Sequence, residues 1–111
     1  MKKLLFTVLF VITLQGLSAQ SLTLYKNESN QFGFKDQSGT IIVEPLYDNA
    51  QAFAEDLAAV ESNMKWGFVD KTGSIVIPIK YDAVSSFKAG KAKVTIGNKT
   101  FYIDKKGKQV K

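Results

Sequence analysis

The chain has 111 residues and a formal net charge of +5, with 15 basic residues that are all Lys, no His and no Cys. The absence of Cys rules out disulfides and a lipid-modified cysteine, and the absence of His rules out a histidine-dependent triad and leaves a zinc site only carboxylates to rest on. Arg supplies the bidentate fork that recognises phosphates and guanine edges, so its absence argues against nucleic acid as the partner of this basic chain.

From the N-terminus, Lys2 and Lys3 precede an uncharged, mostly apolar run from Leu4 to Leu14, and polarity returns over Gln15-Gly16-Leu17-Ser18-Ala19-Gln20. That order is the signature of a cleavable signal peptide over residues 1–19, cut near Ala19. A membrane-spanning helix needs about 20 apolar residues, which this run does not reach. The expected address is periplasmic or extracellular, without a lipid anchor. The rest of the chain then folds by burial alone, near the size at which a single core becomes marginal.

Residues 20–30 hold Leu22–Tyr25, expected to be an edge strand of an incomplete leading unit. From residue 31 the chain repeats at an offset of 34. Phe32, Trp66 and Thr100 align, as do Gly33, Gly67 and Phe101, then Asp36, Asp70 and Asp104, then Gly39, Gly73 and Gly107. The first two copies stay in register through Tyr47/Tyr81, Asp48/Asp82, Phe53/Phe87, Ala58/Ala92 and Val60/Val94. The organisation is therefore repeat one at 31–64, repeat two at 65–98 and a partial third at 99–111.

A 34-residue period also belongs to tetratricopeptide helix pairs, so the pattern inside the period decides. Lys91-Ala92-Lys93-Val94-Thr95-Ile96 alternates with period two, and Ser74-Ile75-Val76-Ile77 is β-branched and apolar. Each repeat is expected to form three short strands. These are Phe32–Asp36, Thr40–Glu44 and Leu57–Glu61, then Trp66–Asp70, Ser74–Pro78 and Lys91–Ile96, with Thr100–Asp104 opening the third set. Asp36-Gln37-Ser38-Gly39, Asp70-Lys71-Thr72-Gly73 and Asp104-Lys105-Lys106-Gly107 place Asp first and Gly fourth, as in a type I turn with an Asx hydrogen bond and Gly at positive φ. The fold class that follows is all-β, with tandem three-stranded antiparallel units in an open curved array. Two and a half such units are too few to close a propeller ring. Gly67 is expected to make room for an aromatic ring or a neighbouring backbone, with an aromatic of the same array favoured.

Lys65-Trp66-Gly67-Phe68-Val69-Asp70-Lys71-Thr72-Gly73, then Ile77-Pro78, Tyr81-Asp82, Phe87 and Gly90-Lys91-Ala92, resemble one unit of the WG-repeat (KWG-repeat) proteins of bacteria. The resemblance covers residues 31–110 and is fullest in the second unit. The first unit has Phe32 for Trp and its proline, Pro45, one place along; the third has Thr100-Phe101 where the pair would stand. That family is defined by repetition rather than by a reaction, so the resemblance implies a β-rich binding or scaffold module, and the expected partner is an unknown protein or an anionic envelope or polysaccharide.

No catalytic, cofactor or metal site is expected. A glycosidase pair drawn from Asp82 with Asp48 or Asp70 is the enzymatic alternative, but Asp36, Asp70 and Asp104 stand where turns favour Asp. The candidate binding surface comprises Trp66, Tyr47, Asp48, Tyr81, Asp82 and Phe87, with core packing of Trp66 and a structural role for the Tyr-Asp pairs the favoured readings. Charge is segregated: residues 21–64 hold two Lys against seven carboxylates, a net −5, and residues 83–111 hold eight Lys against Asp104, a net +7. The Lys-rich end serves as solvated edge protection, as attraction to an anionic envelope or polysaccharide partner, or as a site for weak, salt-sensitive self-association with the acidic half of another copy.

Overall fold

The computed structural model describes residues 21–111, which form eleven β-strands and no helix. The signal peptide expected over residues 1–19 lies outside the described residues. Strands β1 (Thr23–Lys26), β2 (Phe32–Lys35) and β3 (Ile41–Tyr47) make the first antiparallel sheet. Strands β4 (Asn49–Ala50), β5 (Ala58–Ser62), β6 (Lys65–Val69) and β7 (Ile75–Tyr81) make the second. The third holds β8 (Ala83–Val84), β9 (Lys91–Ile96), β10 (Lys99–Asp104) and β11 (Gln109–Val110). Neighbours in each sheet are neighbours in sequence, so all three are meanders.

The all-β repeat architecture is as expected, but the sheets run out of phase with the repeats. Each four-stranded sheet joins the end of one repeat to the start of the next. The cause is local: Asn63 and Met64 both have positive φ (52° and 66°), the twist of a two-residue hairpin, and they fold β6 directly back on β5. After β7, by contrast, the chain passes through Asp82 into β8, which pairs with β9 of the third sheet. The two-residue strands β4 and β8 are too short to leave a periodic trace in sequence.

The repeat is instead the unit of the core. Phe34, Val43 and Tyr47 of the first sheet pack against Ala50, Ala58, Val60 and Val69 of the second, with Phe53 at the margin. One period on, Ala59, Phe68, Ile77 and Tyr81 of the second sheet meet Phe87 and Ala92, Val94 and Ile103 of the third. The edge-to-face contact of Phe34 with Phe53 (4.7 Å, 63°) recurs as Phe68 with Phe87 (4.9 Å, 69°). The second sheet is thus covered on both faces, which is why Leu57-Ala58-Ala59-Val60 is apolar without alternation.

A bulge explains the repeat's most characteristic glycine. Trp66 pairs with Tyr81 and Phe68 with Ile77, so two residues of β6 face four of β7. The surplus residues swing the β7 backbone across Gly67, where a Cβ would lie 2.6 Å from the Ile77 carbonyl oxygen and 2.8 Å from the Ile79 Cα. The occupants are therefore the β7 backbone and the Ile79 side chain, whose Cγ1 would lie 2.7 Å away, not the favoured aromatic ring. Gly33 stands under the same bulge in β3, a Cβ there falling 2.2 Å from the Val43 carbonyl oxygen. Pro45 and Pro78 occupy different places within the two bulges, inside the stretch where the ladder is interrupted, so the one-place shift between repeats is tolerated. Phe101 replaces this glycine without conflict because β11 pairs only with Tyr102 and Ile103, and no bulge crosses it.

Candidate functional site

The three repeated carboxylates are turn residues. Asp36 Oδ1 accepts from the amides of Ser38 and Thr40 and from the Ser38 hydroxyl. Asp70 Oδ1 does the same with Thr72 and Ser74, and Asp104 Oδ1 accepts the amides of Lys106 and Lys108. Gly39, Gly73 and Gly107 follow at φ +91°, +93° and +86°. Each Asp is held below the usual carboxylate range, Asp36 chiefly by the Ser38 hydroxyl, Asp70 by the Thr72 hydroxyl and Asp104 by the Lys108 amide. Asn27 builds the same turn between β1 and β2, its Oδ1 accepting the amides of Ser29 and Gln31 with no charge at all.

A pH dependence follows. A carboxylate whose folded pKa is depressed adds stability that is complete above its unfolded value, here 3.8, and is lost as pH falls through the folded value. The triple variant Asp36→Asn, Asp70→Asn, Asp104→Asn keeps the acceptor oxygens, as Asn27 shows, and is expected to flatten the loss of stability below pH 3.8. Urea midpoints measured from pH 5 down to pH 2.5 check this: an acid limb as steep as the wild type's would mean that these turns do not carry it.

The structure divides the residues of the candidate binding surface between core and surface. Tyr47, Tyr81 and Phe87 are only 8%, 2% and 3% exposed and belong to the two cores. Burial pushes both tyrosine pKa values up, so no phenolate forms near neutral pH. Asp48 and Asp82 are exposed but braced: Asp48 Oδ2 accepts the Asn63 amide (3.0 Å), and Asp82 Oδ2 accepts the equivalent Gly97 amide (2.7 Å). Asp82 also pairs with Lys65, whose hydrogen bond is the first cause of its lowered pKa. These aspartates tie β3 and β7 to the next hairpin turn, the structural role favoured from sequence. Trp66 lies half-buried and packs against the second core, as Val84 and Phe101 also do.

Polar and aromatic groups converge elsewhere. A cleft of about 480 Å³ opens on the outer face of the third sheet, lined by Ser85, Ser86, Lys88, Lys91, Lys93 and Tyr102. The alternation of β9 places Ala92 and Val94 in the core and Lys91 and Lys93 in the cleft. Tyr102, paired with Lys93, is 41% exposed, and the Lys91 ammonium sits 5.1 Å from its ring centroid. Ser85 Oγ accepts the Lys93 amide at 2.9 Å, which fixes the wall. Ion pairs among the described residues join Lys65 to Asp82, Lys71 to Asp56 and Lys105 to Glu55, none of which involves a cleft lysine, while the Lys91 ammonium donates to the Lys111 main-chain oxygen at 2.9 Å. The neighbouring carboxylates are occupied: Glu55 binds the Ala89 and Gly90 amides at 2.7 and 2.9 Å, and Asp104 caps its own turn.

Sequence reasoning counted these lysines as part of a basic end and did not gather them into a site. The signal was present in the repeat itself, since Lys88, Lys91 and Lys93 stand one period after Ala54, Leu57 and Ala59. Among the described residues, no group of three or more carboxylates has the spacing to hold a metal ion.

No curated protein and no solved structure matches this chain. The family model for the WG containing repeat matches twice, over residues 32–66 and 66–99, in step with the bulge and turn that recur at Gly33 and Gly67. The chain belongs to the WG-containing repeat family.

Proposed function

We propose that this protein is an exported, non-catalytic binding or scaffolding module that works outside the cytoplasm on an envelope or polysaccharide partner. Export rests on Lys2, Lys3 and the uncharged run Leu4–Leu14. The observation that carries the binding reading is the division of labour among side chains. The repeated aromatics fill the two cores and the repeated carboxylates hold turns, while the cleft on the third sheet gathers three lysines that no Asp or Glu side chain pairs among the described residues.

The enzymatic alternative needs two carboxylates free to act as acid and base or nucleophile. Asp70 and Asp82, two of the three carboxylates named for that pair, are held as anions by hydrogen bonds, and Asp48 is engaged with the Asn63 amide. Expression of the full chain with its leader tests the proposal. A shortened product is expected outside the cytoplasm, and that product is expected to sediment with isolated envelopes without releasing soluble sugar. Release of reducing ends that disappears in Asp82→Asn would replace the binding module with a glycosidase.

A further inference from the structure

The cleft on the third sheet is a repeat-packing face whose chemistry has been changed. In the second sheet the corresponding face carries Leu57, Ala59 and Phe68, all buried, and Phe87 of the third-sheet layer closes over it. One period on, the same three positions are Lys91, Lys93 and Tyr102, and Ala54 has become Lys88. The Lys91 ammonium donates to the Lys111 main-chain oxygen at 2.9 Å, and burying three ammonium groups under another apolar layer with no further partner is strongly unfavourable, so this face is built to stay wet and to meet something charged. The geometry of the strand supplies the rest: Lys91 and Lys93 project from alternate positions of β9 on one side of Tyr102, and Lys88 comes from the turn at the cleft's edge.

From this we infer that the cleft of Ser85, Lys88, Lys91, Lys93 and Tyr102 binds an acidic polysaccharide, a chain of sugar rings bearing carboxylates. The inference rests on the binding-module reading and names its site and ligand chemistry. The lysines pair with carboxylates spaced along the chain. The exposed Tyr102 ring takes the C–H face of a sugar while the ammonium beside it takes that sugar's carboxylate. The Ser85 hydroxyl donates to the Ser86 carbonyl oxygen and accepts the Lys93 amide, and the Ser86 hydroxyl donates to Gln51 Oε1, so these two groups hold the cleft wall. A second copy of this chain is a poorer occupant. Its leading face, the side of the first sheet turned away from the core, also presents a cation, Lys35, whose ammonium lies 3.9 Å over the Tyr25 ring. Like charges would meet in a head-to-tail stack.

The test measures binding of the full-length gene product, as exported, to immobilised polygalacturonate, neutral dextran, polyphosphate and anionic phospholipid vesicles at low and at 0.15 M salt. Polygalacturonate is expected to bind best, with dextran unbound and affinity falling as salt screens the exposed charges. Lys88→Gln/Lys91→Gln/Lys93→Gln is expected to weaken binding about tenfold or more, as loss of three exposed ion pairs implies. Lys26→Gln/Lys80→Gln/Lys106→Gln, with the same change in net charge, is expected to stay within about twofold. Tyr102→Ala is expected to weaken polygalacturonate several-fold and leave polyphosphate unchanged. Equal losses in both lysine triples would overturn the site, and tighter binding of polyphosphate or vesicles would overturn the sugar. Failure of every polyanion while the protein still sediments with envelopes would overturn this inference and leave the binding module standing. Sedimentation showing a dimer dispersed by the cleft triple would give the face to a second copy instead.

Discussion

Gly67→Ala is expected to be among the most damaging single substitutions in the chain, although it adds one methyl group. Two effects oppose each other. Alanine restricts the unfolded chain and so favours folding by about 0.4–1 kcal/mol where the native backbone accepts it. Against that stand the Ile77 carbonyl oxygen at 2.6 Å and the Ile79 Cα at 2.8 Å, both main-chain atoms of the bulge. A flexible side chain would step aside; β7 moves only by giving up its pairing of Tyr81 with Trp66 and Ile77 with Phe68. Overpacking of this kind costs up to about 3 kcal/mol and sometimes more, which outweighs the entropic gain several-fold. Gly39→Ala is the fitting control: its Cβ would meet open space, and only the strain of φ +91° remains, about 1 kcal/mol. Urea unfolding of the two variants decides the matter. Equal midpoints would mean that the bulge yields and that the glycine of the repeat is not required by β7.

Phe68→Ala is expected to cost about 3–5 kcal/mol, a large share of the 5–15 kcal/mol that holds a small domain together. Phe68 is fully buried, and it is the point at which the second sheet, the Phe87 loop and the third sheet meet. Its loss removes apolar burial and leaves a cavity in the core that joins the second and third sheets, and a repeat stack is held mainly through such nearest-neighbour faces. Phe68→Leu keeps most of the volume and is expected to cost less than about 1.5 kcal/mol. The check is the urea midpoint with the slope held constant. A loss under about 1 kcal/mol for Phe68→Ala would place this ring outside the cooperative core.

Local chemistry makes the hairpin tips legible in the sequence. Asp with Gly three places later states a turn in its own side-chain hydrogen bond and positive φ, and Asp36, Asp70 and Asp104 were found making those bonds. The long strands were legible for a similar reason. Alternation along Lys91–Ile96 and repetition at 34 residues both survive in the sequence whatever lies beside them, and β9 has those bounds. The Tyr-Asp pairs show where this kind of reading divides. Their recurrence signalled importance, but whether Tyr47 and Tyr81 face water or core depends on which sheet covers them.

The period, the all-β class, the turns and the family are legible in the amino-acid order alone, because each is carried by residues within a few places of one another or by plain repetition. The grouping of strands into sheets, the backbone over Gly67, the burial of Phe87 and the assembly of Lys88, Lys91, Lys93 and Tyr102 into one cleft were decided only by the tertiary structure. Those features depend on register and on stacking between sheets. A bulge of two residues, or a sheet laid on one face rather than the other, changes what a side chain touches without changing its neighbours in sequence.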